Sequence, residues 1–228
     1  MVRKMLWQLA VAALVVSVCG HARVWSPPGR ATAWRLGFKT PPDYDDTGLN
    51  CGGFARQHNK NKGRCGICGD AYDLPSPRPH ELGGKFGPGT IVANFTSKQI
   101  INVAIEITAF HQGYWYLNLC PDAESQECFD RYPLELKNGG FYFFPHRDGN
   151  YTVQYRLPKI SCDHCVLQWR YVAGNNWGHC SDGTEGMGCG TQETFGSCSD
   201  IRITPEQKKF KFPRKSFGVF TTKRHHYN

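Results

Sequence analysis

The chain has 228 residues, 40% hydrophobic and 20% charged, with 27 Lys and Arg against 19 Asp and Glu for a formal net charge of +8. Apart from the first twenty residues, no stretch approaches the length of a bilayer span, so a multi-span membrane protein is excluded. The positive excess is small and gathered at the far end, which speaks against nucleic acid as the partner of the main domain.

Residues 1–20 read as a secretory signal. Arg3 and Lys4 give a positive start, an apolar core runs from Met5 to Val18 with only Gln8 and Ser17 interrupting, and the run closes in small residues up to Gly20. Cleavage after Gly20 makes His21 the first residue of an extracellular, soluble product. About 208 residues remain, carrying a net charge of about +6 because Arg3 and Lys4 depart without an acid. That is enough for one domain with a substantial core.

The apolar runs that follow are short and rich in aromatic and β-branched residues: Thr90–Phe95, Ile100–Thr108, Gly140–Phe144, Tyr151–Leu157 and Val166–Val172. Gly, Pro, Asn and Asp clusters separate them, the pattern of a sandwich of short strands. Ile101, Val103, Ile105 and Ile107 alternate with Asn102, Ala104, Glu106 and Thr108, so that strand is expected to bury one face. Between Asn50 and Lys85 lies a glycine-rich insert with little periodicity, which its cysteines must hold together. The domain is expected to span 21–204. Residues 205–228 carry seven basic residues against the single acid Glu206, and are expected to form a solvated, poorly ordered basic tail.

Eleven cysteines become ten once Cys19 leaves: Cys51, Cys65, Cys68, Cys120, Cys128, Cys162, Cys165, Cys180, Cys189 and Cys198. An even count in an exported chain points to disulfides, although spacing does not fix the pairing. Zinc at the two CxxC pairs, Cys65–Cys68 and Cys162–Cys165, is the rival; the oxidising route favours disulfides. Asn94 and Asn150 each begin an Asn-x-Thr glycosylation sequon.

A histidine at the head of a mature chain offers two nitrogens to one metal, the α-amine and the imidazole. The amine titrates near neutrality, at about 7.7 to 8, so it gives up its proton to a metal readily. Flat nitrogen arrays suit Cu(II). The stretch His21–Arg35, with Pro27, Pro28, Arg30 and Trp34, resembles the opening of the lytic polysaccharide monooxygenases. The order of Cys51-Gly-Gly-Phe54, Cys65-Gly-Ile-Cys68-Gly-Asp70, Thr108-Ala-Phe-His111, Cys165-Val-Leu-Gln-Trp169, Gly174-Asn-Asn-Trp-Gly178 and Cys189-Gly-Thr-Gln-Glu-Thr-Phe195 is similar to that of their auxiliary-activity family fifteen. The set spans His21 to about Ile203, and the basic tail lies outside it.

The resemblance implies an all-β, immunoglobulin- or fibronectin-III-like sandwich with loop-rich, disulfide-linked insertions. It further implies a histidine brace holding one copper ion per chain. His21 would give its amine and Nδ1, and His111, at the end of the alternating strand, its Nε2. The remaining histidines, His58, His80, His146, His164, His179, His225 and His226, have only polar or loop contexts. Phe195, with four residues between it and Asp200, would wall one axial side of the copper, and Ala109 would crowd the other with a methyl group. Glu193 or Gln192 would orient the oxygen species by a hydrogen bond; Trp25 and Tyr114 are the candidates for substrate contact. The expected activity is oxidative cleavage at C1 of crystalline chitin, or of cellulose, by a secreted monomer using an external electron donor and O2 or H2O2. A non-catalytic carbohydrate-binding protein and a copper carrier stay open as alternatives.

Overall fold

The computed structural model describes residues 21–206; the expected signal, 1–20, and all of the basic tail beyond Glu206 lie outside the described residues. Two four-stranded sheets face each other. The first has the order β1 (His21–Ser26), β3 (Ile100–Ala109), β6 (Gly149–Arg156) and β5 (Glu135–Leu136). The second has the order β2 (Ala93–Thr96), β10 (Thr194–Thr204), β7 (Cys162–Val172) and β4 (Tyr114–Cys120), with β2 parallel to β10. A hairpin of β8 (Trp177–His179) and β9 (Glu185–Met187) projects separately, and one short helix, α1 (Gln126–Asp130), follows β4. This is the expected all-β sandwich.

The core lies between the inner faces. Ile101, Val103, Ile105 and Ile107 of β3 are each at most 1% exposed and meet Leu117, Trp169, Tyr171, Phe195 and Ile201 from the opposite sheet. The alternation in β3 therefore does what its sequence implies: apolar side chains at every second position bury a single face. On the outer face of the second sheet a smaller cluster, Cys68, Cys120, Cys128, Phe129, Val166 and Cys198, is roofed by the insert.

One expected strand is corrected. Gly140–Phe144 makes only an isolated bridge, Phe143 with Trp115, whose rings stack at 4.5 Å. Gly139 and Gly140 both have left-handed φ and Pro145 follows, so the run turns across β4 instead of joining a ladder. All ten cysteines pair, as Cys51–Cys65, Cys68–Cys198, Cys120–Cys128, Cys162–Cys165 and Cys180–Cys189. Of the two CxxC pairs, Cys65 and Cys68 thus belong to different bridges, while Cys162 and Cys165 bond each other. Both sequon asparagines, Asn94 and Asn150, are exposed.

Candidate metal centre

The register of the first sheet sets His21 directly across from Ala109. Opposed residues of an antiparallel pair lie about 4.5 to 5.5 Å apart at Cα. His111, two residues beyond Ala109, therefore leaves the end of β3 beside the start of β1. Their proximity is felt electrostatically: the charge of His21 acts on His111, and also on Glu193. The peptide group that follows His21 is pinned at both its polar ends, by Thr108 Oγ1 donating to the His21 carbonyl at 3.1 Å and by the Ala22 N–H donating to Thr47 O at 3.1 Å.

His111 is 4% exposed and held at several points. Its backbone N–H donates to the Tyr171 hydroxyl at 3.3 Å, its carbonyl accepts from the Gly174 N–H at 2.7 Å, and the Asn175 amide meets its Nδ1. The chain then turns through Gln112 and Gly113, both with left-handed φ. A Cβ on Gly113 would stand 2.0 Å from the Val172 carbonyl, so only glycine fits. Burial, followed by the charge of His21, pulls the His111 imidazole below its ordinary pKa against the opposing hydrogen bond from Asn175, which keeps the ring neutral and its lone pair available.

The Asn175 amide tests whether a metal fits. With its NH2 toward Nδ1, Asn175 Oδ1 is buried without a partner. An amide turned by half a rotation has the same shape and presents Oδ1 to an Nδ1–H. That arrangement pairs Oδ1 with an Nδ1–H donor, and it is the tautomer that leaves Nε2 bare for a metal. The donor set fits as well. Among the described residues no group of three His, Cys, Asp or Glu side chains could hold a metal ion. Two imidazoles alone make a poor site; an amine released by cleavage before His21 would supply a third nitrogen, and the three together would suit copper.

The other expected residues lie at and just before the start of β10. Glu193 is half-buried; Asn50 Nδ2 donates to its Oε1 at 3.0 Å, and burial raises its carboxyl pKa despite that bond. Phe195, 1% exposed on the inner face of β10, stacks on Tyr171 at 5.8 Å. Gln192 is committed elsewhere: its Nε2 donates to Cys189 O at 2.7 Å and Asn176 O at 3.1 Å, and its Oε1 accepts from the Asn176 N–H at 3.0 Å. It braces the β8–β9 hairpin.

The two substrate candidates separate. Trp25 sits on the outer face of the first sheet, about 13 Å along the strand from His21 at 3.3 Å per residue. Its indole N–H donates to Glu106 at 2.8 Å and Arg23 covers its ring. Tyr114 instead joins an exposed aromatic group, 5.0 Å from Tyr142 and 5.8 Å from Phe144 between ring centres. A groove of about 390 Å³ runs from this group past Gln112 and Gly113 to Gly174, Gly188 and Gly190, with no charged residue in its lining.

Sequence reasoning passed over Asn175, Tyr171 and Asn50. Asn175 lay inside the Gly174–Gly178 run, but its role depends on a fold that brings residue 175 to residue 111.

The sequence pattern of a family described as "Lytic polysaccharide mono-oxygenase, cellulose-degrading" matches residues 21–201. Among solved structures, a lytic polysaccharide monooxygenase AA15 from Thermobia domestica in the Cu(I) state is 47% identical, with a TM-score of 0.78 over 80% of this chain and 98% of that one. A chitin binding domain from Burkholderia pseudomallei shares 12% identity and a TM-score of 0.52 over 81% of this chain and 100% of its own, a likeness of fold alone. No curated protein sequence matches.

Proposed function

Because the chain belongs to the lytic polysaccharide monooxygenases, copper-dependent enzymes that break polysaccharides by oxidation, we propose that it cleaves crystalline chitin at C1 as a secreted monomer of residues 21–204 with one copper ion. The observation that carries this reading is the β1–β3 register, which sets His21 across from Ala109 and so beside His111.

His21 would hold copper through its freed amine and Nδ1, and His111 through Nε2 with Nδ1–H donated to Asn175. Bound copper, supplied with an electron by an external donor and with O2 or H2O2, provides the power to hydroxylate a sugar C–H bond, after which the chain breaks. The protein's part is geometry. Ala109 would crowd the bound copper with a methyl group, Phe195 would give it a hydrophobic wall without a phenol, and Glu193, which accepts from Asn50, would orient the oxygen co-substrate by a hydrogen bond. Tyr114, Tyr142 and Phe144 offer ring faces to pyranose C–H groups, and the uncharged groove beside them suits a neutral glycan such as chitin or cellulose. Trp25, occupied by Glu106 and distant along β1, is left out of that face.

Purified protein beginning at His21, incubated with copper, ascorbate and β-chitin, is expected to release aldonic-acid oligomers visible by mass spectrometry. Products from cellulose alone would move the substrate, and none from either polymer would leave a non-catalytic carbohydrate-binding protein. A form carrying one extra residue before His21 is expected to lose most of its copper affinity in a calorimetric titration, since the amine becomes an amide.

A further inference from the structure

The outer face of the second sheet carries a cation that the proposed function does not use. Arg170 of β7 is 6% exposed. Strand alternation sends it outward with Gln168 and Val172, away from the core residues Trp169 and Tyr171. Its ladder neighbours are Tyr116 on β4 and Gly196 on β10. Gly196 contributes no side chain beside the guanidinium, and the nearest side chain of that strand in the surrounding lining is Thr194.

A guanidinium has five N–H donors. Among the described residues Arg170 makes one hydrogen bond with a side chain, Nη2 to Gln126 Oε1 at 3.1 Å. That oxygen also accepts from Gln168, and Gln126 Nε2 donates to the exposed Asp130 at 2.8 Å. The nearest compensation by a carboxylate is thus relayed through an amide. Burial holds the Arg170 pKa below the ordinary arginine value, which the longer-range fields of Tyr116 and Asp130 do not offset. Arg30, the other deeply buried arginine, shows what saturation looks like. It donates to both oxygens of Asp200, to Glu124 and to the His80 carbonyl.

None of the N–H groups left over on Arg170 is an enclosed orphan among the described residues. They open on a groove of about 420 Å³, lined by Arg64, Tyr72, Tyr116, Gln126, Arg170 and Thr194 among others. No acidic residue lines it. Arg64, exposed at its mouth, adds a second positive charge while its guanidinium rests over Tyr72. Val172 and the Tyr116 ring supply an apolar wall.

We propose that this groove binds a small organic carboxylate, its two oxygens on the Arg170 guanidinium and its apolar body against Tyr116 and Val172. A planar carboxylate matches a guanidinium edge with two parallel N–H···O bonds, and a buried cation short of partners gains most from an anion. A neutral sugar would leave the charge uncompensated, which separates this groove from the uncharged one beside Tyr114. No residue proposed to hold copper lines this groove, which shares Val172 with the uncharged one beside Tyr114, and its occupancy does not depend on copper.

The test is a titration of metal-free protein starting at His21 with sodium benzoate, followed by 15N-HSQC NMR. Saturable shifts are expected at residues around Arg170, Tyr116 and Thr194. Arg170→Gln should weaken binding at least tenfold and Arg64→Gln severalfold, while Lys98→Gln, at a remote exposed ion pair, should bind as the parent does. Arg64 is exposed, so its variant keeps the test decisive if Arg170→Gln does not fold. Absence of saturable binding in the parent, or equal binding by the Arg64 and Arg170 variants, would overturn the site. Tighter binding of inorganic phosphate in competition would overturn the carboxylate as its ligand class.

Discussion

At the scale of single residues, the centre depends on how one imidazole is aimed. Asn175 is the group that meets His111 Nδ1 and would fix its tautomer, and outer partners of this kind typically contribute 10- to 100-fold in metal affinity. Asn175→Ala is therefore expected to weaken copper binding by about that factor, read by competition with a chelating dye, while the circular dichroism spectrum stays unchanged. Unaltered affinity would mean that Nδ1 needs no partner. Replacing His111 itself with Ala is expected to abolish oxidised products with the fold retained, because the five disulfides do not involve it. His21 and His111 could be picked out in the sequence, at the end of an apolar leader-like run and at a strand end, because both are local patterns, and the β1–β3 register brings them to the same end of the sheet. Asn175, Tyr171 and Asn50 were not, since each acts on a residue distant along the chain, and a side-chain amide next to a glycine has the same local appearance in any loop. Trp25 and Tyr114 looked equivalent as exposed-aromatic candidates; only their strands' positions distinguish them.

At the scale of elements, β3 is the strand that both builds the core and delivers His111. Ile105, 1% exposed at its middle, is packed from both sheets. Ile105→Ala is expected to cost about 2 to 5 kcal/mol through lost burial and the cavity left behind, measured as a shift in the denaturant midpoint with an unchanged slope. A loss well under that range would imply that the sandwich closes over the gap. β3 was legible because one face meets the core and the other meets water, so polarity alternates. β10 was not legible. Its outer face is roofed by the insert and by Cys68–Cys198, so Phe195, Ser197, Ser199 and Ile201 are buried along with Cys198 and Asp200, and the alternation disappears. The run Gly140–Phe144 failed in the opposite way. Its aromatics suit a strand, yet Phe141, Tyr142 and Phe144 are exposed because the two preceding glycine turns carry the chain across the sheet end.

At the scale of the whole molecule, a buried ion cluster ties distant parts of the loop-rich segment between β1 and β2 to one another. His80 lies between two carboxylates, its Nδ1 2.8 Å from Asp70 and its Nε2 2.9 Å from Asp43, with Phe86 stacked on the ring. Burial alone would lower the His80 pKa; the hydrogen bonds and charges of Asp43 and Asp70 outweigh it, and the net value is raised above 6.5. Asp43 behaves in mirror image. Burial would raise its carboxyl, but the bonds from His80 and the Asp45 N–H bring it below 3.8. The stability from the raised histidine is complete below its unfolded value and fades as pH rises through the folded one. That from the lowered aspartate is complete above its unfolded value and fades as pH falls through the folded one. Thermal stability is thus expected to be greatest in the mildly acidic range and to decline on the alkaline side. His80→Gln should flatten that decline in melts taken from about pH 5 to about pH 9. A parent and variant with parallel profiles would show that the triad does not couple to folding. By itself, the sequence determined the things that local chemistry writes: the all-β class and a cysteine count that pairs evenly. The tertiary structure alone decided which cysteines join, which histidine is braced by an asparagine and which by two aspartates, and which arginine is left short of partners. Those outcomes depend on contacts between residues tens of positions or more apart, and pairing at such separations is set by sheet register and packing, which no short window of sequence contains.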